Sequence, residues 1–458
     1  MRHSVFSRPR RLGIALTLGA IAACATVPAV EAQPAPTTQT AASEATSEAA
    51  LWREDAEAFL AVLLAEHEDP FFATPEPEFR AAFEAYLAAL ETMNRSERIV
   101  GLARIVALVG DGHTWMPMHA LPFDGMPPGP AFSSLPVRFE WFEDGLFIVG
   151  ATQAHRAALG ARIIAIGDTG TQAAVDRAMT MLPRDAVNLS SEFVAEWLMQ
   201  REILNTLGLA TPGEPVRLTL EINGRRETLA LEALPAAMQY DWIFSSDGGP
   251  TGPDGALDWY TAAAATPLWR EPTDPLGWTV TLDNAAYLQI NQIAEREPGG
   301  YAGLAQTAVD QAESLANPVL VIDLRQSLGG DGSLNDDLVA VIRDNPQINR
   351  PGHLFVLTSR MTHSAAIMLV SKLEQQTHAR FYGQATADRP NHNGETNIFI
   401  TPNSHLPILH ASEYYQTVAA SDTRRFRTPD VTIPYRFSDY RTGHDPVLAA
   451  VLDSLQGH

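Results

Sequence analysis

Between Leu51 and about Val109 the apolar positions follow a helical period: Phe59, Leu60, Leu63 and Leu64 fall on one stripe, and Phe79, Phe83, Tyr86, Leu87 and Leu90 on another. The pattern predicts a helical N-terminal domain over 51–125, running into the turn Asp111-Gly-His-Thr114. It then changes to short alternating runs, Leu135–Phe142, Leu146–Val149, Arg162–Ile166 and Val216–Ile222, broken by Asp-Gly, Gly-Asp and Asn-Gly pairs that suit tight turns. A β-rich module over 130–235 is expected, interrupted by a helical insertion from roughly Val187 to Leu207. Gly and Pro punctuate 245–275, which reads as a loop between modules. In the remainder, 279–458, two apolar runs, Pro318–Arg325 and Leu354–Leu357, each end in a loop that opens a helical pattern, which predicts an α/β unit.

The start of the chain differs from all of this. Arg2, Arg8, Arg10 and Arg11 precede an apolar stretch from Leu12 to Ala23 that is short for a membrane span and has the layout of a secretory signal over 1–32. Ile21-Ala-Ala-Cys24 fits a lipobox, with Cys24 as the lipid attachment site, and cleavage after Ala32 is the alternative. Residues 33–50 are mainly Ala, Thr, Pro, Ser and Glu and read as a disordered tether. The expectation is an exported protein of the periplasm or cell envelope, touching membrane only through Cys24. That cysteine is the single one among 458 residues, so no intrachain disulfide can form. A formal charge of −22 argues against nucleic acid as a partner.

Candidate chemistry concentrates around Ser364. The apolar run before it and the helical pattern Thr362–Val370 place its hydroxyl at a helix N-terminus, where the dipole favours developing negative charge. The Gly329-Gly330 loop offers free N–H groups nearby. Ser364 is thus a candidate nucleophile, with N–H groups of Gly329, Gly330 and Ala365 as a candidate oxyanion hole.

These residues resemble the tail-specific, or C-terminal-processing, serine peptidases (S41), and within them the tricorn-like branch. Asp323-Leu-Arg-Gln-Ser-Leu-Gly-Gly330 is similar to the family's Asp-x-Arg-x-Asn-x-Gly-Gly loop, with Ser327 in place of the asparagine. Thr362-His-Ser-Ala-Ala366 matches the nucleophile segment, Asp111-Gly-His-Thr114 an upstream histidine segment, and Gly383-Gln-Ala-Thr386, Arg389-Pro-Asn391, Pro429-Asp430 and Asp445-Pro446 further positions. The resemblance implies a crotonase/ClpP-like catalytic domain, a PDZ-like module that is degenerate because the Gly-Leu-Gly-Phe loop is missing, and a peptide or protein substrate.

The resemblance also frames the search for a base. The processing peptidases use a lysine about two dozen residues after the serine, where this chain has Asp388 and Arg389. Lys372 is the only lysine, and eight residues of helix put its backbone about 12 Å from Ser364, far beyond the roughly 3 Å of a proton transfer. His113 matches the histidine of the tricorn-like members and is the expected base. His363 shares the turn of Ser364 and is expected to point elsewhere; His392 is a second choice that with Arg325 lines the cleft. For the orienting acid, Asp111, Glu395 and Asp430 stay open, and Gly112 stands where tricorn-like enzymes carry a relay serine.

No cofactor is expected. His113 and His119 lack the HExxH or cysteine partners of a zinc site, Asp331, Asp336 and Asp337 fail the calcium-loop spacing, and no phosphate loop is present. The reading is an exported serine peptidase; an inactive peptide- or lipid-binding relative and an esterase on the same serine are the alternatives.

Overall fold

The computed structural model describes residues 47–118, 128–235, 259–271, 273–296 and 299–456. The signal, Cys24, most of the tether and His119 lie outside them. Three helices come first: α1 (Glu48–Glu66), α2 (Glu76–Ala89) and α3 (Arg95–Ala107). Ser47 caps α1 by accepting from Ala50 N, and Asn94 with Glu97 forms a capping box on α3. Phe59, Leu63 and the whole second stripe are buried, whereas Leu64 is 44% exposed. The core-facing stripe of α1 is narrower than the sequence pattern suggested.

A seven-stranded antiparallel sheet follows, built from β1 (Val137–Phe142), β2 (Gly145–Thr152), β3 (Arg162–Ile166), β4 (Thr169–Gly170), β5 (Val216–Ile222), β6 (Arg225–Leu231) and β7 (Trp259–Thr261), in the order β1-β2-β3-β5-β6 with β4 on β3 and β7 on β2. Helices α4 (Thr171–Met179), α5 (Val187–Trp197) and α6 (Arg201–Thr206) are inserted in it. β7 lies inside the 245–275 stretch expected to be loop throughout. Its three residues pair with β2, and a run so short carries no alternation to detect.

The second sheet has six strands, in the order β15-β12-β11-β10-β9-β8: β8 (Gly277–Thr281), β9 (Ala286–Ile290), β10 (Leu320–Asp323), β11 (Leu354–Thr358), β12 (Arg380–Gly383) and β15 (Val431–Thr432), all parallel except β8. Alternate residues face two cores. Leu288, Leu320, Ile322, Leu354 and Val356 pack under α7 (Gly300–Glu313), α8 (Asn335–Arg343) and α9 (Ala365–Gln376). Tyr287, Val321, Phe355 and Leu357 pack on the other face against Val447, Leu448 and Val451 of α11 (Pro446–Gln456), which follows the short α10 (Phe437–Thr442). Burial on both faces explains why these strands are continuous apolar runs.

β13 (His392–Ile400) and β14 (Pro407–Tyr415) form a separate antiparallel ribbon. The buried Asp55 of α1 accepts from Asn403 N (2.7 Å) and Ser404 N (2.9 Å) at its tip. No helix among the described residues is long and apolar enough to cross a membrane.

Candidate active site

The loops that leave β10 and β11 meet at the carboxyl ends of these parallel strands, the place where open α/β sheets hold their ligands. They are stitched together by Thr362 Oγ1 donating to Leu324 O (2.8 Å), Ser359 Oγ to Arg325 O (2.5 Å) and His363 N to Ser327 O (3.0 Å). Arg325 is buried between Asp323 and Asp445, bonded to both, with its guanidinium 4.7 Å from the centre of the Trp269 ring. It anchors the base of the first loop.

Ser364 is the N-cap of α9, with φ 54° and ψ −127°, a conformation that L-residues with a side chain avoid. The chain holds it there by packing: a Cβ on Gly329 would stand 2.6 Å from Ser364 Cβ and 2.8 Å from Ala365 N, so only glycine lets the first loop approach this closely. Gly329 and Gly330 have φ of +106° and +130°. Gly330 is clamped against Ile293, to which it bridges in parallel, so of the two glycines it is Gly329 that abuts Ser364 and the start of α9. Ala365 N–H, at the first position of the helix, has no intrahelical acceptor.

His113 reaches the site from far upstream. Its segment is sewn to β14 by reciprocal bonds between Trp115 and Leu409 (3.1 and 2.9 Å) and by Ala411 N donating to Thr114 Oγ1 (3.0 Å). Asp111 accepts from His113 N (2.8 Å) through one oxygen and pairs with the buried His67 Nε2 (2.9 Å) through the other. Asp111 therefore fixes the backbone of the histidine turn and not the imidazole. The His113 ring stacks on His363 (centroids 4.4 Å apart) and on His392 (5.5 Å).

His363 was expected to point away, and it lies in the centre of the cluster. Its Nε2 is 2.8 Å from Asp388 Oδ2, and its Nδ1 donates to Leu328 O at 3.4 Å. Asp388 also lies 3.4 Å from Ser364 N. The segment carrying Asp388 is pinned by Asn188 Nδ2 donating to Thr386 O (2.7 Å), by the Arg389–Asp185 ion pair, and by Ala387 N donating to Thr362 O (3.0 Å). A Cβ at Gly112 would be 2.5 Å from Asp388 Oδ1. A serine at 112 has no room beside this carboxylate, which gives the glycine a physical reason.

The remaining expected residues lie at varying distance from the cluster. His392 is buried, its Nδ1 donating to the carbonyls of Arg389 (3.1 Å) and Pro390 (3.2 Å). Glu395, at φ 52°, lines the cleft and accepts from Tyr415 Oη (2.8 Å). Asp430 accepts from Phe381 N (2.9 Å) and pairs with Arg427. Lys372 pairs with Asp336 of α8. Asp111 bonds the His67 ring, and none of Asp111, Glu395 and Asp430 is bonded to the stacked rings of His113, His363 and His392; Asp388 is paired with His363.

The charges sort accordingly. Burial lowers the His363 pKa, but the Asp388 carboxylate outweighs it and the net shift is upward, toward an imidazolium with both nitrogens facing acceptors. Burial also opposes ionisation of Asp388, and His363 overcomes it and holds the carboxyl well below its usual range. His113 is pushed well below the ordinary imidazole value, first by burial and then by the neighbouring His363, with Asp388 opposing. His392 is lowered by burial. These directions favour a charged His363–Asp388 pair and a neutral His113. Neither ring nitrogen of His113 makes a hydrogen bond within normal limits among the described residues, although the Asn393 backbone lies near enough to favour its charged form. The Ser364 hydroxyl is therefore not bonded to it in this state; catalytic hydrogen bonds of this kind often close only with substrate present.

His113, His363 and Ser364 line one cleft of about 1570 Å³, with Phe139, Trp141 and Met368 among its apolar walls.

No family model matches the chain, and no curated protein is significantly similar to it. Solved structures do match. Mature CPAF complexed with lactacystin is 12% identical, with a TM-score of 0.58 over 89% of this chain and 98% of that chain. Mature CPAF is likewise 12% identical, with a TM-score of 0.58 over 89% of this chain and 96% of that one. The photosystem II D1 C-terminal processing protease is 14% identical, covered over 94%, at the lower TM-score of 0.38. At such identities the likeness speaks for the fold, and the fold of this chain is that of the S41-family peptidases.

Proposed function

We propose that the chain is a serine peptidase in which Ser364 attacks the acyl carbon and His113 accepts its proton, returns it to the leaving amine, and then activates water against the acyl-enzyme. The observation that carries this reading is Ser364 held at positive φ on the first turn of α9, one loop-width from Gly329, in a cleft that the buried His113 also lines. Strain of this kind persists where the surrounding structure enforces it, and it clusters at reactive positions. His363 is unsuited to be the base, because both its nitrogens face acceptors. Asp388, by holding that cation in place, leaves His113 as the neutral ring. Gly329 and Ala365 N–H groups supply the oxyanion hole, with Gly330 fixing the loop against Ile293.

The finer architecture belongs to the same reading: the parallel sheet and its helices as a crotonase/ClpP-like catalytic domain, and the antiparallel sheet as a degenerate PDZ-like module with α4–α6 inserted. So does its location outside the cytoplasm, with Cys24 lipid-anchored or the chain released by cleavage after Ala32; Cys24→Ser should shift the protein out of the membrane fraction if the anchor is used.

Labelling with a fluorophosphonate probe tests the nucleophile. The parent should label and Ser364→Ala should not, and a panel of peptide and ester substrates separates peptidase from esterase. The unmade bond between Ser364 and His113 favours one second reading, a non-catalytic peptide-binding relative. Absence of labelling in a folded parent would select it. Because mature CPAF is complexed with lactacystin, that compound is a natural second probe.

A further inference from the structure

We propose that His113, His363 and Asp388 form a binding site for a zinc-like divalent cation, which when bound holds the enzyme inactive by occupying its base. The inhibitory half rests on the Ser364–His113 reading; the binding half does not. The three side chains come from three segments: the turn sewn to β14, the residue before Ser364, and the stretch after β12. Each can offer one ligand atom, and these atoms all lie within 4.8 Å of one another. Around a tetrahedral zinc ion with nitrogen and oxygen ligands at 2.0–2.2 Å, neighbouring donors stand about 3.4 Å apart. His363 Nε2 and Asp388 Oδ2 are already at 2.8 Å, so closure asks for donor shifts on the order of 1 Å and for the His113 and His363 rings, stacked at 28°, to turn until their lone pairs converge.

The second observation is independent. Among the described residues neither buried ring nitrogen of His113 makes a hydrogen bond within normal limits, the Asn393 backbone being the nearest approach, and buried polar atoms are ordinarily satisfied, so an unpaired one calls for an explanation. A cation supplies one. Two imidazoles and one carboxylate suit zinc and its transition-metal neighbours, whereas magnesium and calcium favour all-oxygen shells. A fourth position is left for water. His392 stands outside the set because its Nδ1–H is committed to backbone carbonyls. Sequence spacing hid the site, since the ligands are far apart in the chain and no two form a short motif.

The consequence follows from lone pairs. A nitrogen that ligates an ion has none left to take the Ser364 proton, so the ion and the catalytic step exclude each other.

The test uses tag-free full-length protein, equilibrium dialysis against Zn²⁺ alone with metal analysis, and Co²⁺ as a spectroscopic probe. The parent and Ser364→Ala should each take up one Zn²⁺ per chain, and the Co²⁺ form should show the intense visible bands of a tetrahedral site. Asp388→Asn and His363→Gln should weaken Zn²⁺ at least tenfold, and Mg²⁺ should not compete. In the parent, Zn²⁺ should suppress peptide turnover and EDTA should restore it. No Zn²⁺ above background in the parent, or equal uptake by both variants in folded form, overturns the site. Stoichiometric uptake with unchanged turnover, or turnover lost on EDTA treatment, overturns the inhibitory role. If no peptide is turned over under any condition, the peptidase reading has failed, and the Zn²⁺ and Co²⁺ measurements still decide the metal site.

Discussion

Ser364 and His113 are held by different kinds of structure. The serine stands on the ends of two adjacent parallel strands, β10 and β11, buried on both faces, and its loop partners are a few dozen residues away in sequence. The histidine is suspended from β14 and from the buried His67–Asp111 pair, and its neighbour Asp388 is tied down by Asp185 and Asn188 of the helical insertion. One half of the candidate site is therefore part of the parallel sheet's own framework, and the other depends on the helical segments and the ribbon docking correctly. Mutations in the first half should remove chemistry and spare the fold, whereas mutations in the second should disturb both.

The largest effects test that division directly. Ser364→Ala should lower peptide turnover by about 10⁴-fold or more with an unchanged unfolding transition. His113→Ala should also cost several orders of magnitude in turnover, as loss of the base in a Ser-His pair does. Retained turnover in either variant, measured with the thermal unfolding curve of the same preparation, would sink the assignment.

How much of this was legible depends on how local it is. That Ser364, Gly329 and Ala365 meet could be read because two apolar runs and a glycine pair lie in order on one stretch of chain, whereas His113 entered through the resemblance of its upstream segment. Asp388 was in view only as a residue at the place where the resemblance implies a lysine, and its carboxylate meets His363, which a turn-level argument pointed away from the site. Asp111, Glu395 and Asp430 were reasonable acids by order along the chain. Their actual partners, a backbone N–H with His67, a tyrosine hydroxyl, and a strand N–H with an arginine, are tertiary facts that no spacing records. The same holds for β7, which exists only because β2 offers it an edge.

Asp388→Asn sharpens the comparison on the stability side. Removing one partner of a buried pair leaves His363 uncompensated and should cost about 3–5 kcal/mol by chemical denaturation. The pH dependence has a definite sign. His363 has a folded pKa raised above its unfolded value, so the stability it brings is fully present below about 6.5 and is lost as pH rises through the folded value. Asp388, depressed, contributes above about 4 and loses its contribution only as pH falls through its folded value. The gap between parent and variant should be widest near pH 5–6 and should narrow at alkaline pH. A gap constant across that range would mean that the pair is not ionised.

A smaller effect is expected in the pH profile of the parent. His113 must be neutral to accept the serine proton, and its pKa is displaced downward, so the acid limb of kcat/KM should fall below the ordinary imidazole value of about 6.5. The measurement belongs in EDTA, which keeps the base free of metal. A limb at or above that value would assign the base to a ring with a raised pKa, such as His363.

Lys372→Met should do least of all. The resemblance read from the sequence implies a lysine base, and this chain has only one lysine, so the variant asks whether the parallel sheet carries any part of that chemistry. Lys372 sits in the second half of α9 and lines the far part of the cleft, where its ammonium pairs with Asp336, 72% of whose side chain is exposed. A pair so open to water contributes on the order of 0–1 kcal/mol, and a methionine of similar length keeps the packing of the stem. Turnover should stay within about threefold of the parent, because the substitution removes no group needed to lower the barrier, and the acid limb of the profile should not move. A loss comparable to that of His113→Ala would place the base on the serine's own helix and erase the difference between the two halves of the site.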